Sequence, residues 1–530
     1  MTYTLLIATD LTEDALRLLR ASDDVTVETV APSSGALRDK IKSAHAIISR
    51  DDVHIDADLL GNAQNLRVIG RVGTSVSGID LDAATGRGII VTNTPGANAV
   101  AAAEHTLTLM LALNRRLVSA HNSLRDGYWL LDRKQKLGTQ LRGKTLGVVG
   151  YGRVGRLVAG YALAFGMHVL AYDPYIAESG RDDERVLWVT LRELLSRSDL
   201  VTIHVPATRE TRGMFNDALL RQMKPGARLI NAAHGSIVDE RALAEALREG
   251  RLAGAAIDVY NEEPPYNSPL IGMEQVVHTP HIGDNTVEAQ QDVSMLIATQ
   301  VVDALRGDDY RNVVNLPFMP GLDYEQIQPY LRLAESLGTL QQILARHPIR
   351  RVAVEYRGDE MSGLVKPLTV ALLRGLLAPA LGEKVNYINA PVLAQERGIQ
   401  VTQTKGLKTG EYTNLVSCEV TWENGGTVVM AGTLLDRREP HIVQMDAYRM
   451  NFVPEGILLF MGSFDQPGVI GKVGTFMAEN GVNIASWQTG RAQPGGNTLT
   501  VMTLDEPISD ALLDSLRAQE FVRTAVQVTL

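Results

Sequence analysis

Cysteine is nearly absent from this chain: Cys418 stands alone among 530 residues. A single cysteine excludes an internal disulfide framework and any cysteine-rich metal site, points to a reducing compartment, and reads as a small buried hydrophobe. A membrane-length apolar run is missing too. The most apolar later stretch, Thr106 to Leu113, is flanked by Glu104, His105 and Arg115 and falls far short of the ~20 residues a bilayer requires. The opening MTYTLLIATDLTEDALRLL has no basic segment and meets acid by Asp10, so neither a secretory signal nor a transit peptide is expected, and a cytoplasmic location is. Blocks of one charge sign are also lacking. The formal net charge is −10 with acids and bases interspersed, which leaves no electrostatic footprint for nucleic acid and mainly favours solubility.

What is present is length and rhythm. A chain of 530 residues with 45% hydrophobic content is too long for one core and should divide into three or four domains. From Leu5 to Val91, short Val/Ile-rich runs (LLIA, AIIS, LRVIG, GIIV) alternate with amphipathic stretches at Glu13 to Arg20 and Asp56 to Ala63, the pattern of a doubly wound α/β unit. A stronger copy starts at Lys144: strand TLGVVG, turn and helix GYGRVGRLVAGYALAFG, strand HVLAYD, then LVTIHVP, ARLINAA and GAAIDVY. Between them AAAEHTLTLMLALNRRL predicts a helix apolar on most faces, suited to joining or packing between two domains. NLPFMPG reads as a linker. A helix over Tyr330 to Ala345 and strands in IRRVAVEYRG, GTVVMAGTLL and PHIVQMDAYRMNFVP then predict an α+β domain, and the remainder a βαββαβ unit. The expected boundaries are 1–98 plus 288–316, 99–287, 317–454 and 455–530.

Gly150-Tyr151-Gly152-Arg153-Val154-Gly155 supplies the G-x-G-x-x-G spacing after an apolar strand and at the opening of a helix, with Asp173 at the end of the next strand. Gly150 allows the turn, Gly152 lets backbone approach a pyrophosphate, and Gly155 lets helix and strand pack, with phosphates at the positive helix end. Asp173 would accept from ribose hydroxyls and repel a 2′-phosphate, and Pro174-Tyr175 follow where an arginine would have accommodated one. NAD is favoured over NADP.

Reduction of a 2-keto acid needs a proton donor, a group tuning its pKa, and a cation or amide array for the carboxylate. His281 in HTPHIGDNT and Glu263 in DVYNEEPP are candidates. At these motifs the chain resembles the D-2-hydroxyacid dehydrogenase family, and the phosphoglycerate dehydrogenases within it. NTPGANAVAAAEH, LRGKTLGVVGYGRVG, AFGMHVLAYDPY, IVDERALAEALREGRLAGAAIDVYNEEPP and TPHIG carry the likeness through most of the first 310 residues. VNYINAPVLAQERGIQV looks like the intervening domain of the long enzyme and DQPGVIGKVGTFMAENGVNIASWQTGR like its ACT domain.

The resemblance implies that His281 is the acid/base histidine and Glu263 its partner. It places cofactor contacts at Arg153, Val154, Pro206, Ala232 and Asp258. His204 reads equally as a cofactor contact or a packed neighbour. His278 reads as structural, and no metal is expected. Substrate contacts fall at Arg50, Arg71, Val72, Gly73 and Asn98. Asp465 and Asn483 match positions through which such ACT domains bind serine, at a subunit interface of an expected homodimer or homotetramer.

The likeness breaks at the substrate end. The family's third catalytic residue is an arginine in N-x-x-R-G-x-x-x-D, and here the stretch Asn231 to Asp239 carries His234 in its place. A neutral imidazole offers one donor where arginine offers a permanent charge and a planar fork. Arg50 is followed by Asp51-Asp52 where relatives carry small neutral residues, Ser75-Val76-Ser77-Gly78 stands for G-V-D-N, and Asp284-Asn285 stand for A-S. Either Arg133 or Lys134 would match a basic substrate contact. The leading expectation is NAD-dependent oxidation of D-3-phosphoglycerate or its reverse. A paralogue acting on another small 2-keto or 2-hydroxy acid, such as a phosphonate, and a catalytically idle NAD and amino-acid sensor stay open beside it.

Overall fold

The computed structural model describes residues 2–32, 35–129, 137–176, 183–317, 324–358, 363–406 and 412–530. The first sheet is parallel, in the spatial order Val25–Thr29, Tyr3–Ala8, Ala46–Ser49, Val68–Arg71, Ile90–Asn93. Its last three strands are buried throughout, which is why they read as unbroken apolar runs instead of alternating. The order is flavodoxin-like, with its switch point between Tyr3–Ala8 and Ala46–Ser49. Helix Glu13–Arg20 has the predicted bounds, while Ala57–Asn62 begins one residue late because Asp56 is its cap and accepts from the Leu59 amide at 2.8 Å. Helix Val287–Arg306 returns to this sheet and packs Val293, Ile297 and Val301 on it. Gly70 makes room for that crossing, since a Cβ there would lie 2.6 Å from Val301.

The second sheet is also parallel: Val276–His278, Gly254–Ile257, Arg228–Asn231, Leu200–Ile203, Thr145–Val149, His168–Tyr172, Val186–Trp188. Its switch point lies between Thr145–Val149 and Leu200–Ile203, the Rossmann arrangement. The apolar helix Ala99–Arg115 joins the two units and buries Leu109, Met110 and Leu113 against Leu146, Ile230 and Ala256 of this second sheet.

The third sheet is mixed, with six strands where the sequence pattern marks three runs, and Leu415–Trp422 is among the strands left unmarked. Gln400–Gly406 is a polar edge strand paired on one side only, so it lacks an apolar period. The stretch expected as one strand through Pro454 is two, Glu439–Met445 and Tyr448–Phe452, because Asp446 turns the chain at φ 50°. Helix Tyr324–Ile343 starts earlier than Tyr330, its buried face extended by Ile327. The C-terminal unit is βαββαβ: Ile457–Phe464, Val469–Glu479, Ile484–Arg491, Asn497–Leu504, Asp510–Arg517, Val522–Thr529. One face of its sheet (Leu458, Phe460, Val501, Val528) completes the core of the third unit, and the other packs Leu459 and Met461 under its own helices.

Candidate active site between the two parallel sheets

The glycine loop divides by what surrounds each missing side chain. Gly150 sits at φ 92°, and a Cβ there would come within 2.6 Å of the His204 carbonyl. At Gly155 a Cβ would lie 2.1 Å from the Gly150 oxygen, so helix Arg153–Ala164 approaches its strand only because that side chain is absent. Around the Cβ position of Gly152 the protein has no atom within 4 Å. That clearance lies at the helix N-terminus, where a pyrophosphate is favoured, so the residues fit NAD. Asp173 accepts from the amides of Tyr151 and Tyr175, both at 2.9 Å and one on each oxygen, leaving each oxygen a further lone pair for a ribose hydroxyl. Burial pushes His204 down to about 4, so its ring is neutral and shares a 2.9 Å hydrogen bond with Thr202. Pro206 and Ala232 follow the ends of adjacent strands, Val154 opens the helix, and Arg153 reaches across to donate to the Pro95 carbonyl of the first unit.

The turns after strands Gly254–Ile257 and Val276–His278 carry a histidine–carboxylate pair. His281 Nδ1 is 2.7 Å from Glu263 Oε2, and Glu263 Oε1 accepts from the Tyr260 amide at 3.0 Å. The His281 side chain is 57% exposed and its backbone is left-handed at φ 52°. Burial opposes its charge, but the Glu263 hydrogen bond and charge outweigh it, and the net pKa is raised. The protonated form therefore survives to higher pH than in a free imidazole, and Nε2 is the nitrogen left for a ligand. Asp258 lies behind this pair, 1% exposed. Burial would raise it, yet bonds from His105, Thr279 and the Ile282 amide bring it down to about 2.

His234 stands beside the pair without being a cation. Its Nδ1 is spent on the Ser236 hydroxyl at 3.0 Å, and burial followed by the Arg212 guanidinium lowers its pKa. Gly235 explains the proximity: a Cβ there would meet the Tyr260 oxygen at 1.9 Å, so this turn presses directly on the turn that carries Glu263.

The first unit presents a cavity of about 760 Å³ lined by Asp10, Thr29, Arg50, Asp52, Asn285 and Gln290. Arg50 donates to Gln290 at 2.6 Å within it. Arg71 does not reach this space. It is 0% exposed, donates to the carbonyls of Arg50 and Val53, and lies 3.9 Å from Asp51, so it holds up the 50–53 turn from below. Val72 is buried, Gly73 takes φ 107° with its amide on Thr94, and Asn98 donates to Asp284 at 3.0 Å. The Asp51 pKa is raised by burial, with the charges of Arg71 and then His281 pulling the other way. Arg133 and Lys134 lie outside the described residues. Sequence reasoning passed over His105 and Gln290, which carry no motif and are recognisable only by what packs against them.

In the C-terminal sheet Asp465 accepts from the Gly495 amide and Asn483 donates to Asp505 at 2.6 Å. Ile457 and Ile484 both pair with Leu504, whereas Phe464 pairs with Asn497, so Asn483 and Asp465 sit at opposite ends of the sheet, roughly 25 Å apart at ~3.3 Å per residue. Among the described residues no helix is long and apolar enough to cross a membrane, and no cluster of acidic, histidine or cysteine side chains could hold a metal.

A Rossmann sheet with an open glycine cradle, a flavodoxin-like partner and a His–Glu pair between them define an NAD-dependent dehydrogenase of D-2-hydroxy acids. Residues 107–283 match the NAD-binding domain of the D-isomer specific 2-hydroxyacid dehydrogenases, 326–446 the intervening domain of D-3-phosphoglycerate dehydrogenase, and 457–521 the ACT domain. The chain is 39% identical to the D-3-phosphoglycerate dehydrogenase of Archaeoglobus fulgidus and 37% to that of Methanocaldococcus jannaschii, over 99% of each chain. Among solved structures it is similar to TT0316 of Thermus thermophilus (37% identity, TM-score 0.54, 59% of this chain and 99% of that one). It also matches D-lactate dehydrogenase of Aquifex aeolicus, solved with NAD and lactic acid (30%, TM-score 0.52, 57% and 96%). The chain belongs to the D-3-phosphoglycerate dehydrogenase family.

Proposed function

We propose that this protein oxidises D-3-phosphoglycerate to 3-phosphohydroxypyruvate with NAD, or runs the reverse, as the first step of serine biosynthesis. The observation that carries the reading is the 2.7 Å pair of His281 and Glu263, on the turns that follow strands Gly254–Ile257 and Val276–His278 of the Rossmann sheet. Bound NAD supplies the hydride acceptor. Neutral His281 takes the hydroxyl proton at Nε2 during oxidation, and its protonated form returns it to the carbonyl oxygen during reduction, with Glu263 stabilising the cation between the two. Asp173 and the backbone about Gly152 bind the cofactor. Arg50 takes the distal phosphate, and the single donor of His234 meets the carboxylate end.

A second reading is a different small 2-keto acid, such as a phosphonate, and it is favoured by the neutral His234 and by Asp51 and Asp52 beside Arg50. The test follows NADH absorbance with phosphohydroxypyruvate beside unphosphorylated and phosphonate keto acids, with His281→Ala as control. Fast turnover of phosphohydroxypyruvate that requires His281 supports the first reading; turnover of another acid alone supports the second. No turnover of any acid leaves an NAD-binding sensor.

The ACT unit is read as a serine site shared by two subunits, because Asp465 and Asn483 lie too far apart to hold one amino acid within a single copy. This places a homodimer or homotetramer in the same proposal. Serine at millimolar levels that alters neither rate, melting temperature nor mass in solution removes it.

A further inference from the structure

Helix Ala99–Arg115 lies behind the catalytic turn and fastens it at two points. Asn98, just before the helix, donates to Asp284 at 3.0 Å. Two turns further in, His105 Nε2 lies 3.2 Å from both Thr279 Oγ1 and Asp258 Oδ1. The one hydroxyl proton of Thr279 is committed to Asp258 Oδ1 at 2.6 Å, so the hydroxyl can only accept from His105, and His105 Nε2 must carry a hydrogen.

Asp258 is the centre of this arrangement. Its carboxylate accepts from Ile282 N at 3.0 Å and Gly283 N at 2.9 Å, and its backbone oxygen accepts from His281 N at 2.8 Å. Three consecutive amides of the catalytic turn therefore end on one residue. That turn needs a restraint, because His281 is a non-glycine residue at φ 52°, a conformation that persists only where its surroundings impose it. The packing is tight: a Cβ at Gly283 would lie 3.0 Å from the Asp258 carboxylate and 3.6 Å from the His105 ring. Thr279 and Asp258 travel with the second sheet, whereas His105 comes from the helix that joins both units, so its N–H, together with the Asn98 bond to Asp284, registers the turn against that helix.

We propose that His105 is a positioning residue for proton transfer: through Asp258 and Thr279 it fixes the turn bearing His281, keeping Nδ1 on Glu263 and Nε2 towards the cleft. The inference rests on the reading of His281 as the acid/base group.

The test compares His105→Phe, which keeps a ring without the donor, with His105→Gln, which keeps an N–H, both in the full chain. Each is followed by steady-state reduction of the keto acid across pH, by NADH affinity, and by ring-nitrogen NMR titration of His281 assigned through His281→Gln. His105→Phe is expected to lose on the order of 10–100-fold in kcat, the cost of an ångström-scale misplacement, with NADH affinity nearly unchanged. Its alkaline limb should move to lower pH as His281 loses Glu263, and His105→Gln should recover most of both. A His105→Phe enzyme with wild-type kcat and pH profile overturns the proposal. So does equal loss in both variants that tracks melting temperature while the His281 titration stays in place. If His281→Gln turns over as fast as wild type, the acid/base reading has failed instead, and an unmoved His281 titration in His105→Phe still overturns the positioning role.

Discussion

The two parallel sheets meet at one cleft but secure their halves of it by different means. On the cofactor side the decisive features are steric: Gly150 and Gly155 lie against backbone atoms at 2.6 and 2.1 Å from any added Cβ, so no other residue fits without moving the sheet. On the side proposed for the substrate the decisive features are side-chain charges on turns: Arg50, Asp51 and Asp52 over a buried Arg71, and His234 exposed at a short turn. Charges on turns can be exchanged without refolding anything, and the departures from the family pattern gather there. A binding half made of backbone resists change, while one made of side chains is free to change its ligand.

The comparison is broken most severely where the halves join. His281→Ala should lower keto-acid reduction by roughly 10²- to 10⁴-fold, the usual worth of a positioned acid/base group. NADH affinity, read by fluorescence titration, should stay the same. Two glycine substitutions then separate fold from ligand on the cofactor side. Gly155→Ala should destabilise the chain by ~1–3 kcal/mol through overpacking and lower its melting temperature. Gly152→Ala, with nothing of the protein within 4 Å, should leave melting unchanged and weaken NADH binding.

On the substrate side His234→Arg should raise kcat/KM for phosphohydroxypyruvate by about 10–100-fold, as a charge-assisted contact is worth ~1.5–3 kcal/mol. No gain would mean that the carboxylate is held elsewhere. Smaller still, Asp51→Ser and Asp52→Ser should each lower KM for a dianionic substrate a few-fold, and the gain should fade in high salt, where partly exposed charges are screened. The last expected change is a displacement. Since Glu263 raises the His281 pKa, Glu263→Gln should bring it down, so the alkaline fall in the reduction rate begins at lower pH.

Much of this was legible beforehand because it depends on local patterns. The glycine loop, Asp173 and the βαββαβ order of the C-terminal unit are all set within short stretches whose period and turn residues state their geometry. The third unit was read less completely: the polar edge strand Gln400–Gly406 has no buried face to mark it, and the left-handed Asp446 that splits the last hairpin looks like any other aspartate. Arg71 was read as a substrate contact from its place in a motif, but what it touches depends on the 50–53 turn folding over it.

The sequence by itself determined the class of each unit, the NAD cradle and the candidate pair His281 and Glu263, since hydrophobic period, glycine spacing and motif chemistry are properties of neighbouring residues. Only the tertiary structure decided that His105 meets Asp258, that Asn98 is spent on Asp284, and that Asp465 and Asn483 lie at opposite ends of one sheet. The first two join segments far apart in the chain and the third depends on register across a sheet, and strand order, register and helix packing leave no trace in any single stretch of sequence.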